Sequence, residues 1–512
     1  MKNVLCRVSQ TGFLVALILL LLTSCEGQKI AVGSKSTTKE TTEKKSALEQ
    51  QFSLENIEYV DYEPVLPETW ELENGLTVMF LRDDELPLVR GSLMIKGGSL
   101  WEPKDQPGVV SAMGSQMRHG GAGEMGPEEL DIFLENLSAE ISSSFDGENG
   151  TISFSSLSLD FEVVFSVFAD VVFNPRFDES RLALWKGQTL EGIRRRVDNP
   201  GTIASISFNQ LMYPESPYGR VLTSPDIERI SRNALIEAHE EFIKPDGAIL
   251  ILSGPLERED VEAKVNRYFE QWRARGGTLG PPPAIDAEPA SGIYFLSMPF
   301  SQSTIYMGHQ GVPRLTEDHV AIDALNHIFG TGGFTARLTR RIRSELGFAY
   351  SVYGAILPGI VKGRNLIYVQ TKAESTGDAV VESLKVLKGM QKENVSEVEL
   401  EETKHSIESS FVFRLDSPDK VLSRQAILQL REYPANYDTD YLETLRELQP
   451  SEIREAAKKR WDPERFVILI VGNEDAYVGL EEALSVASEP LRSMEIKRVT
   501  FHESLVFDAA AN

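Results

Sequence analysis

The chain has 512 residues, 41% of them hydrophobic and 25% charged, a globular composition on a length too great for one ordinary domain. Its net charge of −25 argues against nucleic-acid binding, which needs a basic footprint, and matches an acidic surface that keeps a protein soluble. The two cysteines, Cys6 and Cys25, fall near the start, so the body of the chain holds neither a disulfide framework nor a cysteine metal site. A metal there would need His, Asp and Glu.

In chain order, Lys2 and Arg7 precede an unbroken apolar run over residues 13–22. The run is too short for a permanent membrane span and fits the core of a signal peptide over 1–24. It ends Leu22-Thr23-Ser24-Cys25, which resembles the bacterial lipobox, whose cysteine is lipidated and becomes the first mature residue. That implies a membrane-anchored lipoprotein of the cell envelope, on the periplasmic or outer-membrane side if the host has two membranes. Glu26, in place of the aspartate that retains lipoproteins at the inner membrane, favours the outer one. Residues 25–53 are rich in Lys, Thr, Ser, Glu and Gln and read as a flexible tether.

Ordered structure is expected from residue 54. Residues 76–81 and 88–96 read as strands, 108–117 as a helix, and 151–159 as an alternating strand; 161–172 and 179–197 read as helices. Strands and helices that mix without strict alternation predict an α+β fold with mainly antiparallel sheets. The chain also repeats itself. Residues 245–254 and 463–472 each run from a proline through a continuous apolar stretch to a glycine, and a helical pattern follows each, over 261–269 and 480–486. The prolines lie about half the ordered chain apart, too far for a solenoid and suited to duplicated halves. A Gly/Pro linker over 276–290 separates the first half, 54–275, from the second, 291–500, and leaves a tail at 501–512.

Several motifs in order carry a family resemblance. They are Gly98-Ser99-Leu100-Trp101-Glu102-Pro103 with Gly108-Val109-Val110, then Asp198-Asn199-Pro200, Ser216-Pro217-Tyr218-Gly219 and the run over 245–254. The strongest is Gly332-Gly333-Phe334-Thr335-Ala336-Arg337-Leu338, which leads to Glu345-Leu346-Gly347-Phe348-Ala349-Tyr350-Ser351-Val352. Together these resemble the insulinase/pitrilysin zinc peptidases over residues 65–475. The resemblance implies two homologous halves, each of two related α+β domains, closing as a clamshell around an extended peptide.

Active members carry an inverted zinc motif, H-x-x-E-H, on the helix after the glycine that Gly108 matches. The histidines bind zinc from one helix face, and the glutamate takes a proton from the zinc-bound water. Here the motif falls on Ser111-Ala112-Met113-Gly114-Ser115, with serines in place of both imidazoles and Gly114 in place of the base. The more distant glutamate of the family site matches Glu191, a remnant read as structural or solvated, and its supporting glutamate matches Leu184. Among the seven histidines none belongs to a complete motif; His405-Ser406-Ile407-Glu408-Ser409 is half of one and reads as a polar helix face.

Active members also draw an arginine and a tyrosine from the second half to bind substrate backbone and stabilise the oxyanion. Arg343 and Tyr350, with six residues between them, match that pair, and Arg341 is the rival arginine. In some bacterial relatives one chain carries the zinc motif and another the Arg/Tyr pair. The expectation is therefore a chain that binds no cofactor itself, with zinc held by a partner subunit of the same family, and an unstructured peptide as substrate. The alternatives are a non-enzymatic peptide-binding or scaffold lipoprotein, and a hydrolase with an unrecognised metal site.

Overall fold

The structure, a computed structural model, describes residues 65–273, 279–489 and 491–499. The signal peptide and tether, Cys25 with them, part of the 276–290 linker and the 501–512 tail lie outside the described residues.

The first half opens with β1 (Glu68–Glu71), β2 (Thr77–Arg82) and β3 (Leu88–Lys96), followed by α1 (Val109–His119) and α2 (Pro127–Asn136). The hairpin β4 (Glu140–Phe145) and β5 (Asn149–Leu157) comes next. Then follow α3 (Phe161–Phe173), α4 (Glu179–Arg195), α5 (Pro200–Met212), α6 (Ser224–Arg229), α7 (Arg232–Phe242), β6 (Ile249–Gly254) and α8 (Arg258–Phe269). The second half holds β7 (Gly292–Ser297), β8 (Gln302–Gln310) and α9 (His319–Asn326), then π-helical turns at His327–Thr331 and Thr339–Glu345. It continues through β9 (Ala349–Leu357), β10 (Arg364–Lys372), α10 (Thr376–Lys392), α11 (Glu397–Val412) and α12 (Pro418–Leu430). Last come α13 (Tyr437–Glu447), α14 (Pro450–Arg460), β11 (Val467–Gly472), α15 (Glu474–Ser485) and β12 (Ile496–Val499).

The strands form two six-stranded sheets, ordered β1-β2-β6-β3-β5-β4 and β12-β7-β11-β8-β10-β9. Five strands correspond one to one, down to the single parallel pair, β2 with β6 and β7 with β11, beside three antiparallel ones. The sixth breaks the symmetry: β1 runs antiparallel to β2, whereas β12 runs parallel to β7. The α+β architecture of two related halves is thus present. Each half is built on one sheet, however, so the expectation of two domains per half is corrected to one. The duplicated segments supply β6 and β11, which sit inside their sheets with all six residues buried, and that explains their continuous apolar composition.

Alternation decides which face is packed. On β3, Val89, Leu93 and Ile95 are buried, while Arg90, Ser92 and Met94 on the opposite face are half-buried. The buried set meets the helices in one core whose aromatic centre joins Phe154, Phe165 and Phe168. The other face is covered by exchange. Helix α12 of the second half lays Leu422, Ala426 and Leu430 on Met79, Ile249 and Ile251 of the first sheet. Helix α5 of the first half lays Ile203, Phe208 and Met212 on Leu366, Leu469 and Val471 of the second. Neither sheet is sealed by its own half.

Polar contacts fasten the exchanged helices. Asp419 accepts from Arg90 at 3.1 Å and from the Ser253 hydroxyl, and Gln429 donates to Thr77 at 3.1 Å. In the other direction Tyr213 donates its hydroxyl to the Gly363 carbonyl at 2.8 Å, and Gln310 donates to the Met212 carbonyl at 2.8 Å. Arg314 of the second half also pairs with Glu148 in the β4–β5 turn.

Candidate functional site

Helix α1 carries the positions of the missing zinc motif, and a buried carboxylate holds its start in place. Gly108, at φ 88°, turns the chain into the helix. Glu102 accepts the N–H groups of Gly108 and Val110, each at 2.9 Å, and satisfies donors that a helix start leaves open. Burial raises the Glu102 carboxyl above its ordinary value, and those N–H donors and Arg220, 3.5 Å away, oppose the rise. Glu102 belongs to the resemblance, but the sequence reading gave it no role; a glutamate shortly before a helix start is the signal that could have flagged it.

Ser111 and Ser115 are half-buried on α1, and Gly114 between them is buried. Strand β4 lies against this stretch. The Ser143 hydroxyl donates to the Gly114 carbonyl at 2.6 Å and accepts the Arg118 N–H at 3.1 Å, so it is threaded into the helix backbone. A Cβ built on Gly114 would stand 2.8 Å from Cδ2 of Phe145 and 2.8 Å from its backbone nitrogen. Phe145 is itself buried in the core. The glycine thus permits close packing of helix on strand, and the volume of a general base is filled by β4.

The residues present do not fit zinc. Two hydroxyls replace two imidazoles, hydroxyls are poor zinc ligands, and the base position admits no side chain. Among the described residues no group of three or more His, Cys, Asp or Glu side chains is placed to hold a metal ion. Glu191 stands on α4 with its side chain 46% exposed, bonded to Arg195 at 2.7 Å and Arg194 at 3.4 Å of its own helix. Leu184, two turns earlier, is exposed as well. The half-motif at His405 differs from its sequence reading: Glu408 is buried and paired with Arg446, so it belongs to the packing of α11 and not to a polar face.

The second half presents its two candidates to solvent. Tyr350 lies near the start of β9, the edge of the second sheet, and is 70% exposed. It falls at a bulge: Gln370 faces Ser351 and Thr371 faces Ala349, so Tyr350 has no partner on β10 and its side chain is re-aimed. Arg343, in the π-helical turn Thr339–Glu345 beside β9, is exposed, rests 4.8 Å over the Phe334 ring, and makes no ion pair among the described residues. Its rival Arg341 is occupied, by Glu382 at 2.8 Å and Glu345 at 3.1 Å. The two arginines thus differ in their partners: Arg341 is held by carboxylates, and Arg343 by none among the described residues.

One further surface escaped the sequence reading. Strand β4 is the far edge of the first sheet, and the half-exposed face beside it is lined with hydroxyls: Ser142, Ser144, Thr151, Ser153 and Ser92. Ser92 and Ser153 share a hydrogen bond of 2.7 Å. No strand pairs with the outer side of β4 among the described residues, although the Ile141 carbonyl there accepts from Arg118 at 3.2 Å.

Residues 78–226 match the family model of the insulinase peptidases, family M16, and residues 229–407 that of the peptidase M16 inactive domain. An uncharacterized zinc protease of Rickettsia bellii is 23% identical over 66% of this chain and 82% of its own length. The non-peptidase homolog YmxG of Helicobacter pylori is 20% identical over 78% of this chain and 92% of its own. Among solved structures, a peptidase M16 inactive domain from Pseudomonas fluorescens superimposes with a TM-score of 0.74 at 25% identity, covering 83% of this chain and all of that one. The periplasmic protease PqqL of Escherichia coli gives a TM-score of 0.69 at 15% identity, covering 90% of this chain but 50% of PqqL. The matched models, the paired sheets and the replaced motif lead to one conclusion: the chain belongs to the insulinase family, as a member that lacks the zinc motif.

Proposed function

We propose that this chain is the zinc-free subunit of a two-chain peptidase, in which it supplies part of the peptide-binding surface and the oxyanion contacts. The observation that carries the reading is the pair Arg343 and Tyr350, both exposed and uncommitted, while Arg341 two residues away is locked in ion pairs. Free guanidinium and phenol donors cost little reorganisation when they meet a carbonyl oxygen that gains negative charge. The open edge of β4 and its hydroxyl-lined face suit an extended, unstructured peptide that adds as a strand. The partner would be a zinc-bearing member of the same family, and the metal chemistry would be wholly its own.

A second reading, a non-enzymatic peptide-binding or scaffold protein, is favoured by the similarity to a non-peptidase homolog over most of both chains. Mixing the chain with a zinc-bearing relative from the same genome and following cleavage of an unstructured peptide separates the two. Activity found only in the mixture supports the two-chain peptidase; a chain that associates with no such relative, yet still binds peptide, is a scaffold.

We also propose that the mature protein begins at an acylated Cys25 and is held in the cell envelope by that anchor. Mass spectrometry of the native N-terminus tests this: an unlipidated terminus at another residue refutes the anchor. Among the described residues no helix is long and apolar enough to cross a membrane.

A further inference from the structure

We propose that Phe334 is a positioning residue for Arg343: its ring holds the guanidinium in place and leaves the N–H donors open to a developing oxyanion. The inference rests on the catalytic reading of Arg343 above, and adds to it the residue that aims the side chain.

The contact is the first observation. The Arg343 guanidinium carbon lies 4.8 Å from the centre of the Phe334 ring, within the range of a cation–π interaction. Arg343 is exposed, and no carboxylate pairs with it among the described residues, so the ring is what defines where the side chain rests. Arg341 shows the alternative. Its N–H groups donate to Glu382 at 2.8 and 2.9 Å and to Glu345 at 3.1 Å, and they are spent there. A guanidinium has five N–H donors and no acceptor. A carboxylate holds an arginine by occupying those donors, whereas an aromatic ring holds it through its charge. Only the second kind of hold keeps the donors for a substrate oxygen.

The second observation is the backbone that presents the ring. Phe334 is 70% exposed, and a single exposed phenylalanine needs no explanation by itself. This one sits on a fixed turn. Gly332 donates its N–H to the His327 carbonyl at 2.9 Å, and a Cβ there would stand 2.6 Å from that oxygen. Gly333, at φ 68°, takes a left-handed conformation that favours glycine. The Thr335 hydroxyl donates to the Gly332 carbonyl at 2.8 Å and closes the turn around Phe334. Beyond it Ala336 and Leu338 are buried, and Arg337 donates twice to Glu399 of α11. The backbone under Arg343 is fixed as well: Ile342 is fully buried, and Arg341 ties the π-helical turn to α10. Two anchored segments thus bring one exposed ring to one exposed cation.

The contact is tested on the lone chain by NMR with isotope-labelled arginine, the Arg343 Nε–Hε signal being assigned from Arg343→Lys. Phe334→Ala and Phe334→Leu should move that signal and lower its order parameter, and Phe334→Tyr should keep both near the parent. Leucine keeps bulk without the ring, so a parent-like signal in Phe334→Leu overturns the proposal, as does a signal unmoved in Phe334→Ala. The ring is exposed, so all three variants should melt with the parent chain. In the complex with a zinc-bearing relative, Phe334→Ala should lower kcat about fivefold or more with little change in KM, the scale of a cation–π contact. Phe334→Tyr should restore kcat, and Phe334→Ala should cost nothing further in the Arg343→Ala background. A loss that persists in that background, or an unchanged kcat in Phe334→Ala where Arg343→Ala loses activity, overturns the positioning role and leaves the catalytic reading standing. No loss in Arg343→Ala itself overturns the catalytic reading, and the positioning role with it, even where the NMR signal shows the contact.

Discussion

Phe145 stands where a side chain on Gly114 would have to go, its Cδ2 and backbone nitrogen each 2.8 Å from the Cβ position. Gly114→Ala therefore has a predictable sign. Glycine to alanine inside a helix ordinarily stabilises by about 0.5–1 kcal/mol. Here the added methyl meets the backbone of β4 as well as a ring, and overpacking of that kind costs about 1–3 kcal/mol. Gly187→Ala and Gly192→Ala on α4, where a Cβ meets nothing within 4 Å, should stabilise instead. Denaturant unfolding of the three variants reads both signs.

The same contact predicts that zinc chemistry cannot be restored by rewriting the motif. Ser111→His/Gly114→Glu/Ser115→His should take up no stoichiometric zinc in elemental analysis after dialysis, and it should melt below the parent chain. The glutamate must displace Phe145, and the distal positions offer Leu184 and a Glu191 already tied to Arg194 and Arg195. A metal site depends on such surroundings as much as on its ligands. One tightly held zinc per chain would refute this.

Glu102 should leave a mark on stability against pH. Its carboxyl is raised above the ordinary 4.5, chiefly by burial, so the folded protein holds that proton more firmly than the unfolded chain does. Its contribution to stability is therefore largest in acid and is lost as pH rises from about 4.5 through the raised value, beyond which it is constant. Paired carboxylates such as Glu162 and Asp318 are lowered and trend the opposite way, so the comparison must be with Glu102→Gln. The variant should lack this component, and it should also lose one of the two N–H contacts at the start of α1. Identical pH profiles would show that Glu102 does not titrate differently in the folded state.

Much of this fold was legible in the sequence because it is written in local patterns. The period-two alternation of β3, the continuous runs of β6 and β11, and the apolar face of α3 each declare an element without reference to the rest of the chain. What the sequence hides is contact at a distance. Nothing local marks Ser143 as threaded into α1, or Phe145 as the occupant of a catalytic volume. Nothing local assigns α5 and α12 to each other's sheets, since an amphipathic helix shows that it packs but not where. The arginines make the same point, because Arg341 and Arg343 differ only in the carboxylates folding brings to one of them.

The helix exchange predicts interdependence. Phe208 of α5 is fully buried, 5.3 Å from the Tyr306 ring of the second sheet. Phe208→Ala should cost about 3–5 kcal/mol, the range for truncating a core aromatic. That loss should appear in a single cooperative transition followed by both far-ultraviolet and tryptophan signals. Separate transitions for the two halves would show that the exchanged helices do not couple them.

The proposed catalytic role makes the most specific demand. In a complex with a zinc-bearing relative, Arg343→Ala and Tyr350→Phe should each lower kcat about a hundred- to a thousandfold, the usual loss for one oxyanion donor. Both side chains are exposed and neither change removes a buried apolar group, so the complex should still elute intact on sizing. Arg341→Ala provides the control. Its guanidinium is spent on Glu382 and Glu345, so its loss should loosen the joint between the π-helical turn and α10 and leave kcat close to the parent value. Cleavage that is unaltered in both Arg343→Ala and Tyr350→Phe would remove these residues from catalysis and leave the scaffold reading ahead.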